Sequence, residues 1–572
     1  MRKFVVALGV TMLIVMGLSS FAWVKDKETN GSMARQTSRP DETLLFSNGT
    51  IYIDADTKAS NLLVRDGKVA GWNIQAEKHD GAVKVDLKGA VVYPGFMDSH
   101  VHLMESGVIF HSGANLVGCN DIDSMVKALT LKVQSMPEHG IILGVGFSLS
   151  DYDKWSLEDL ARIDKVTGNR PAFLVDKPGH NAVINTATMK LAGLDPSTPV
   201  PPGGKVITEN GRLTGMLRES AMTLPWNKIF GELTATEIKA GTMMMLKHWA
   251  SIGYTGAVDL MGAPGIRTMR PDIFGEMEKE GTLPLRINYC YPIFNLGDVD
   301  DAASYRGKDT DMVRFVGCKI FVDGAFAAGE AWTNWKNQQG NYGLQEIYTD
   351  DSYGKKYDLN RIVARVEEYG MNMHYHVQGD RAIGSVLDAL DKALAENGQI
   401  KGIHTLIHLA FPTDEQIERI KRFNGHVVTT VQPAFWSAES DTSHYYGERA
   451  NETYPIRKLL DRGVSVGIST DFSVSPIEYA PPTVILGIAA TGGGDPEVHQ
   501  PLSIRDVVHG LTQGSAKTTG KDDTGKLDVG YKADIVVYDK DLYSVDPAKF
   551  TKDSPKVLST WVSGRKAYEA AK

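Results

Sequence analysis

Eight short apolar segments, most of them followed by a longer stretch with helical periodicity, constrain the fold of this 572-residue chain more than any other feature. Such alternation is typical of βα units, whose strands form one parallel sheet, and eight strands are the number that closes a barrel. The sequence therefore predicts an α/β fold, a (β/α)8 TIM-type barrel. The first predicted strand ends at His102, and the others lie at 258–260, 287–291, 319–322, 373–376, 406–408, 427–431 and 466–469.

Two β-rich regions flank the predicted barrel. One runs from residue 41 to 95 and the other from 518 to 572, and both contain short runs of β-branched and aromatic residues separated by turn residues. We expect the two regions to form one small β-sandwich domain around a barrel at 96–517. Within the barrel, residues 105–229 are too many for a single βα loop, so we expect an insertion with structure of its own.

The first residues resemble an export signal. Arg2 and Lys3 precede an apolar run, which ends near the small-x-small pattern Ser20-Phe21-Ala22. The sequence predicts a signal peptide at 1–22, a polar linker at 23–40, and a periplasmic or secreted protein. An uncleaved N-terminal anchor is the alternative, because the apolar stretch is just long enough to cross a bilayer of roughly 30 Å as a helix.

Composition excludes several classes of protein. The net charge is -9 and the two signs are mixed along the chain, so there is no basic field to attract nucleic acid. Only three cysteines occur, without the CxxC spacing of a zinc ribbon or a thiol oxidoreductase. We expect a small-molecule substrate and, once the leader is removed, no membrane partner. The sequence is also compatible with a homo-oligomer.

The strongest local signal is the segment 94–103, PGFMDSHVHL, at the end of the first predicted strand. Residues two apart on a strand point to the same side, so His100 and His102 both face the barrel mouth. Neutral imidazole nitrogens suit zinc, iron, nickel or manganese. An isolated HxH is weak evidence, but later strand ends supply further ligand types.

Four more candidate ligands follow at later strands. His376, His408 and Asp471 each lie at a strand's carboxyl end, where barrel enzymes place their chemistry. Lys319 lies within an apolar strand, where an ammonium would be a costly buried charge unless it is neutralised or converted to a carbamate that bridges two metals. A salt bridge or a substrate contact are the alternatives. We expect one or two divalent ions, zinc first and manganese or iron otherwise.

Two residues near the candidate ligands are interpreted as structural rather than metal-binding. Asp98 precedes the histidines by two residues, so we expect it to orient a ligand through a hydrogen bond rather than to bind metal. His374 shares the face of His376 one layer deeper, and we interpret it as a packed core histidine.

Together with further motifs, this set resembles the YtcJ-like branch of the amidohydrolase superfamily, which includes N-substituted formamide deformylases. The resemblance runs from about residue 43 to 567 and includes 179–185 (GHNAVIN), 211–221, 379–382 (GDRA) and Gln432-Pro433. It implies that His100 and His102 bind the more buried metal and that a carboxylated Lys319 bridges two metals.

The resemblance also implies roles for the remaining residues. His376 and His408 would hold the second metal, and Asp471 would be both ligand and proton shuttle. His180 lies in a motif that the family keeps near its pocket, so we expect it to bind substrate. Glu219 and Arg381 are further substrate-binding candidates, although an ordinary ion pair explains either of them.

The predicted reaction is hydrolysis of an amide or formamide-like C–N bond of a small molecule by metal-activated water, with Asp471 passing a proton to the leaving nitrogen. An esterase or lactonase would use the same site, and the residues also permit a barrel isomerase or dehydratase. A non-catalytic binding or regulatory barrel in the envelope is a different class of hypothesis. It does not explain why three histidine strand ends and an aspartate would be kept.

Overall fold

The computed structural model describes residues 42–571, apart from short gaps at 80, 137–139, 150–151, 177–180, 201–204, 264–265, 268–269, 350–353, 439–441 and 551–552. The predicted signal peptide at 1–22 and the predicted linker at 23–40 lie outside the described residues. Within the described part of the chain, no helix is both long and apolar enough to cross a membrane.

Eight parallel strands form the central sheet and follow one another around it in chain order. Each strand is almost entirely buried, as expected for strands covered on one face by helices and on the other by the barrel interior. The prediction of a (β/α)8 barrel is confirmed. Numbered in chain order, the strands are β1 Phe96–Val101, β2 Tyr254–Asp259, β3 Arg286–Pro292, β4 Val313–Phe321, β5 Met373–Val377, β6 His404–His408, β7 Val427–Val431 and β8 Val466–Ile468.

Helices surround these strands, and several of them begin at side-chain N-caps. The Thr234 hydroxyl, for example, accepts a hydrogen bond from the amide of Glu237, whose carboxylate accepts in return from the Thr234 amide, so helix Ala235–Ser251 starts with a capping box. The principal helices around the barrel are Leu103–Ser112, Thr223–Glu232, Ala235–Ser251, Pro271–Lys279, Leu296–Ala303, Leu359–Tyr369, Asp380–Asn397, Asp414–Arg422, Ile456–Asp461, Pro482–Thr491 and Ile504–His509.

The two ends of the chain fold together, as predicted. Strand Ile535–Tyr538 pairs antiparallel with Val91–Pro94, which joins the C-terminal strands to the N-terminal ones. One sheet contains Leu44–Ser47, Leu62–Arg65, Lys68–Trp72 and Val83–Asp86, and the other contains Thr50–Tyr52, Lys58–Ala59, Val91–Pro94, Ile535–Tyr538, Val557–Val562 and Arg565–Glu569.

The insertion after β1 has its own sheet. Helix Leu103–Ser112 directly follows β1 and packs on Ala235–Ser251, and the inserted sheet starts after it, at Gly113. Helices Ile122–Gln134, Leu157–Thr167 and Thr186–Ala192 accompany it. Its six strands are Gly113–Asn115, Ile142–Phe147, Ala172–Asp176, Asn181–Ile184, Lys205–Glu209 and Arg212–Arg218.

Candidate metal centre

Three side chains from separate strand ends meet at the carboxyl end of the barrel. Candidate ligand atoms of His100, His408 and Asp471 all lie within 4.8 Å of one another, and all three residues are buried. Asp471 Oδ1 lies 2.9 Å from His100 Nε2, and Asp471 Oδ2 lies 3.9 Å from His408 Nδ1. Residues far apart in sequence thus present two imidazoles and a carboxylate to one point.

His102 joins this cluster at the same carboxylate oxygen of Asp471 as His100. Its Nε2 lies 3.6 Å from Asp471 Oδ1. The backbone holds the pair together, because the Asp471 amide donates to the His100 carbonyl at 2.9 Å and the His102 amide donates to the Phe472 carbonyl at 2.9 Å. These bonds link the first strand to the segment after the last one, so barrel closure itself positions the ligands.

His376 lies beside His408, with ring centroids 4.6 Å apart. Its Nδ1 lies 3.2 Å from Asp323 Oδ1, which leaves Nε2 as the nitrogen available to a ligand. Asp323 is itself fixed, since its carboxylate accepts hydrogen bonds from the backbone amides of Trp332, Gln378 and Gly379. Asp323 therefore orients His376, a role that the sequence analysis did not assign.

His408 has an equivalent orienting partner. Its Nδ1 lies 2.8 Å from Gln432 Oε1, and the Gln432 amide group donates in turn to the Ser469 hydroxyl. Gln432 directly follows β7. From the sequence it was noted only as part of a family motif. A polar residue just past a strand end is the signal that could have identified both Gln432 and Asp323.

Lys319 lies on β4 with 1% of its surface exposed. Burial lowers the pKa of its amine to about 7, against the opposing influence of Asp471. The Nζ atom lies 4.6 Å from the centre of the Phe321 ring, which is 5.3 Å from the His376 ring. A substantial fraction of this amine is therefore neutral at neutral pH, the state that can react with CO2 to give a carbamate.

Two histidines of the cluster, His100 and His408, are held in the neutral form that binds metal ions. Burial lowers the pKa of His100 to about 3, and burial also lowers that of His408 well below its usual value. For Asp471, burial alone would raise the pKa, but the imidazoles of His100 and His102 that face its carboxylate hold it well below the usual range.

Several buried polar atoms here lack hydrogen bonds within the described part of the chain. They include Nδ1 of His100 and of His102, Nζ of Lys319, and Oδ1 of Asp471, whose close contact with His100 does not have hydrogen-bond geometry. Such atoms are costly to bury without a partner. Nitrogen and carboxylate donors collected in one buried place fit a divalent ion such as zinc.

The backbone at the mouth is strained where ligands are presented. Positive φ angles occur at His408 (76°), Leu409 (52°) and Asp471 (52°), none of which is glycine. Each such residue costs of order 1–3 kcal/mol and persists only where the surrounding structure enforces it. Strain at two candidate ligands supports a functional interpretation of this end of the barrel.

Asp98 supports the centre through the backbone rather than through an imidazole. Its carboxylate accepts from the Thr470 amide at 3.0 Å, the Thr470 hydroxyl at 2.6 Å and the Trp249 indole at 3.1 Å, and it reaches only the backbone amide of His100 at 3.5 Å. Asp98 thus hydrogen-bonds the backbone of one candidate ligand, His100, and both the amide and the hydroxyl of Thr470, which directly precedes another. Asp98 therefore also fixes the segment that carries Asp471.

Two further acids lie next to His102. The Asp259 carboxylate accepts from the Met104 amide at 3.1 Å and so caps the helix that begins after His102. Glu105 on the same helix is 3% exposed, and burial raises its pKa to about 7 while His102 opposes that rise. His374 is fully buried beside Lys319 in the strand register, in agreement with a packed core histidine.

The structure describes the three predicted substrate-binding residues to different extents. His180 lies outside the described residues, and Glu219 begins a short 3-10 helix whose first side chains are not described. Arg381 is exposed at the start of helix Asp380–Asn397, with its guanidinium 5.0 Å from the centre of the Trp332 ring. The aromatic face, rather than an ion pair, is the contact that holds Arg381.

Comparison with known proteins gives one consistent family. The amidohydrolase family matches residues 84–568. The putative amidohydrolase YtcJ of Bacillus subtilis is 24% identical, over 92% of this chain and 99% of its own. The N-substituted formamide deformylase of Arthrobacter pascens is 23% identical, over 89% of this chain and 95% of its own.

A solved structure supports the same architecture. An uncharacterised metal-dependent hydrolase from Pyrococcus horikoshii OT3 aligns with a TM-score of 0.72 and 23% identity. The alignment covers 88% of this chain and 99% of that one. The barrel, the terminal domain and the insertion therefore belong to one recurring arrangement.

Proposed function

Because the chain belongs to the amidohydrolase family and is a metal-dependent hydrolase of that superfamily, we propose that it hydrolyses an amide or formamide-like C–N bond of a small molecule. The observation that carries the proposal is the convergence of His100, His408 and Asp471 within 4.8 Å at the carboxyl end of the barrel. The name of the Arthrobacter relative, a deformylase of N-substituted formamides, favours a C–N bond.

Each ligand has a place in this proposal. His100, His102 and Asp471 hold one divalent ion, zinc by the chemistry of the donor set, while His376 and His408 hold a second. When bound, such an ion supplies Lewis acidity, which polarises a carbonyl and acidifies water at neutral pH. Asp323 and Gln432 fix the tautomers of His376 and His408 through their Nδ1 atoms.

Asp471 is the proton carrier of the proposed reaction. Its carboxylate is ionised because its pKa lies well below the usual range, so it can accept the proton that water releases on attacking the carbonyl. The same carboxyl group then donates that proton to the leaving nitrogen, which would otherwise depart as a poor amide anion. Its contacts with His100 and His102 keep it at the reacting centre.

Lys319 would complete the proposed centre as a carbamate, an anion that could ligate divalent ions. Two features support this: the side chain is buried without a hydrogen-bond partner in the described residues, and its lowered pKa leaves part of the amine neutral. A carbamate would replace a buried ammonium by an anion that two cations neutralise, which removes the cost of an unpaired buried charge.

An ester or lactone carbonyl would meet the same groups, so the bond type needs a direct test. We expect metal-loaded protein to hydrolyse N-substituted formamides and simple amides with a higher kcat/KM than the matched esters. Asp471→Asn should lower kcat by at least about 100-fold on amides, where protonation of the leaving nitrogen is required, and less on an activated ester. Turnover of esters alone would reassign the enzyme as an esterase.

Export is the second part of the proposal, and it depends on the leader-like residues at 1–22. We propose that the mature protein is periplasmic or secreted and begins at Trp23. Sequencing the N-terminus of protein recovered from the cell envelope tests this directly. An intact Met1 on a cytosolic protein would contradict it.

A further inference from the structure

A cleft of about 660 Å³ opens on the face of the barrel opposite the candidate metal centre. Leu283 lies three residues before β3 and Met312 directly precedes β4, so the cleft is at the amino ends of the strands. The metal-ligand candidates lie at the carboxyl ends. The cleft is therefore separate from the mouth where hydrolysis is proposed.

Three units of the structure form the walls of this cleft. Ala240 and Met243 come from helix Ala235–Ser251, and Val562 and Ala567 come from the C-terminal strands of the small domain. Leu283, Met312 and Val562 are 3%, 1% and 2% exposed, so they form a solid apolar floor. A mostly apolar concavity of this volume between two domains has the properties of a small-ligand site.

The rim of the cleft carries cations that have no acidic partner. Lys239 pairs with Glu280 at 2.5 Å and Lys566 pairs with Glu569 at 2.9 Å. Lys247 and Arg565 also line the cleft, and no carboxylate of the described residues lies within ion-pair distance of either. Two uncompensated positive charges thus border an apolar pocket in a protein whose net charge is -9.

We propose that this cleft binds an amphipathic monoanion, a saturated carboxylate of medium chain length. Its alkyl chain would lie on Leu283, Met312 and Val562, and its carboxylate would meet Lys247 and Arg565. A neutral apolar ligand would leave both cations without a partner. A second copy of this chain is less suited, because Glu280 is the only acid lining the cleft and Lys239 already neutralises it.

Titration calorimetry of the full chain with sodium decanoate, kept below its micelle concentration, tests the proposal. We expect saturable one-to-one binding that strengthens about fourfold for each methylene from hexanoate to decanoate, with no binding of acetate. Decanol should bind more weakly than decanoate. Binding that does not depend on chain length, or equal binding of decanol, would overturn the proposed recognition.

Variants separate this cleft from other surfaces. Ala240→Trp, which fills the cleft from a half-buried position on helix Ala235–Ser251, should abolish decanoate binding. The double variant Lys247→Gln with Arg565→Gln should weaken the binding of decanoate about tenfold and leave the binding of decanol unchanged. The matched control, Lys392→Gln with Arg422→Gln, removes the same charges from helices Asp380–Asn397 and Asp414–Arg422 and should bind decanoate normally.

Two results would contradict the proposal. Unchanged decanoate affinity in the Ala240→Trp protein would place the ligand elsewhere. Sedimentation would reveal the alternative occupant: a dimer that Ala240→Trp converts to a monomer, in a protein that does not bind decanoate, would assign the cleft to a second copy of the chain.

Discussion

The chemical state of the Lys319 side chain, carbamate or ammonium, distinguishes two kinds of catalytic centre. It is buried on β4, its Nζ has no hydrogen-bond partner in the described residues, and its amine has a pKa near 7. A bridging carbamate makes the centre binuclear, whereas an ammonium that only contacts substrate leaves metal binding to the histidines and Asp471.

If Lys319 is carboxylated, Lys319→Ala should lose one equivalent of metal together with activity, because the bridge to the second ion is gone. Acetate should restore part of both by taking the place of the carbamate. Metal analysis with and without acetate measures this. A variant with full metal content and only a raised KM would show that Lys319 contributes uniform substrate binding instead.

Glu105 should make the metal-free protein less stable as the pH rises. Its pKa is near 4.5 in the unfolded chain and about 7 in the folded protein, where burial penalises the carboxylate. The folded state therefore holds the proton more tightly, and stability falls between pH about 4.5 and 7. At pH 8, Glu105→Gln should raise the free energy of unfolding by about 3 kcal/mol and shift the urea midpoint upward. At pH 4 it should change neither.

The control for this prediction is Glu232→Gln, at an exposed position at the end of helix Thr223–Glu232. It should change the urea midpoint little at either pH. If the Glu105→Gln advantage were the same at pH 4 and pH 8, packing rather than ionisation would be its cause.

At the scale of elements, the loop after β5 depends on one glycine. A Cβ atom at Gly379 would lie 1.9 Å from the Trp332 carbonyl oxygen, and the Gly379 amide donates to Asp323, the partner of His376. The close approach of two backbone segments, rather than an unusual φ angle, requires glycine here. Strand β5, this loop and the segment at Trp332 therefore act together to fix one ligand.

Gly379→Ala should force the Trp332 segment away and disturb Asp323. We expect about 1–3 kcal/mol lower stability and weaker metal binding through His376, measured by urea unfolding and by competition with a chelator. Gly275→Ala is the matched control, because its Cβ would meet no atom within 4 Å inside helix Pro271–Lys279. Unchanged metal affinity in Gly379→Ala would contradict the coupling of loop and ligand.

At the scale of the whole molecule, the barrel was predictable because eight short apolar segments alternate with stretches of helical periodicity, and several of these segments have a polar residue at the carboxyl end. His376, His408 and Asp471 followed from that pattern alone, and the structure brings them to one mouth. The pairing of the chain ends was also predictable, since both contain β-rich runs, although the buried Arg286–Asp534 contact that ties the terminal domain to β3 was not.

Long-range partners limited the prediction of the site. The position of Asp323 just past a strand end could have marked it as a candidate, but it orients His376 only because backbone amides from two other segments hold its carboxylate, and the sequence does not show those contacts. Asp98 was expected to orient a ligand from its position two residues before His100, and it accepts a hydrogen bond from the His100 amide, but its bonds to Thr470 and Trp249, which lie far away in sequence, were not predicted. Spacing in the sequence identifies candidate metal ligands more readily than the residues that orient them.

The central claim is that His100, His102, His376, His408, Lys319 and Asp471 form a metal centre on which hydrolysis depends. Elemental analysis of the purified protein tests it most directly. We predict one to two equivalents of divalent metal, zinc first, in the unmodified protein. The double variant His100→Ala with His102→Ala should contain almost none and should be inactive, while His426→Gln, outside the centre, should retain both metal and activity. Full metal occupancy in the double variant would contradict the assignment.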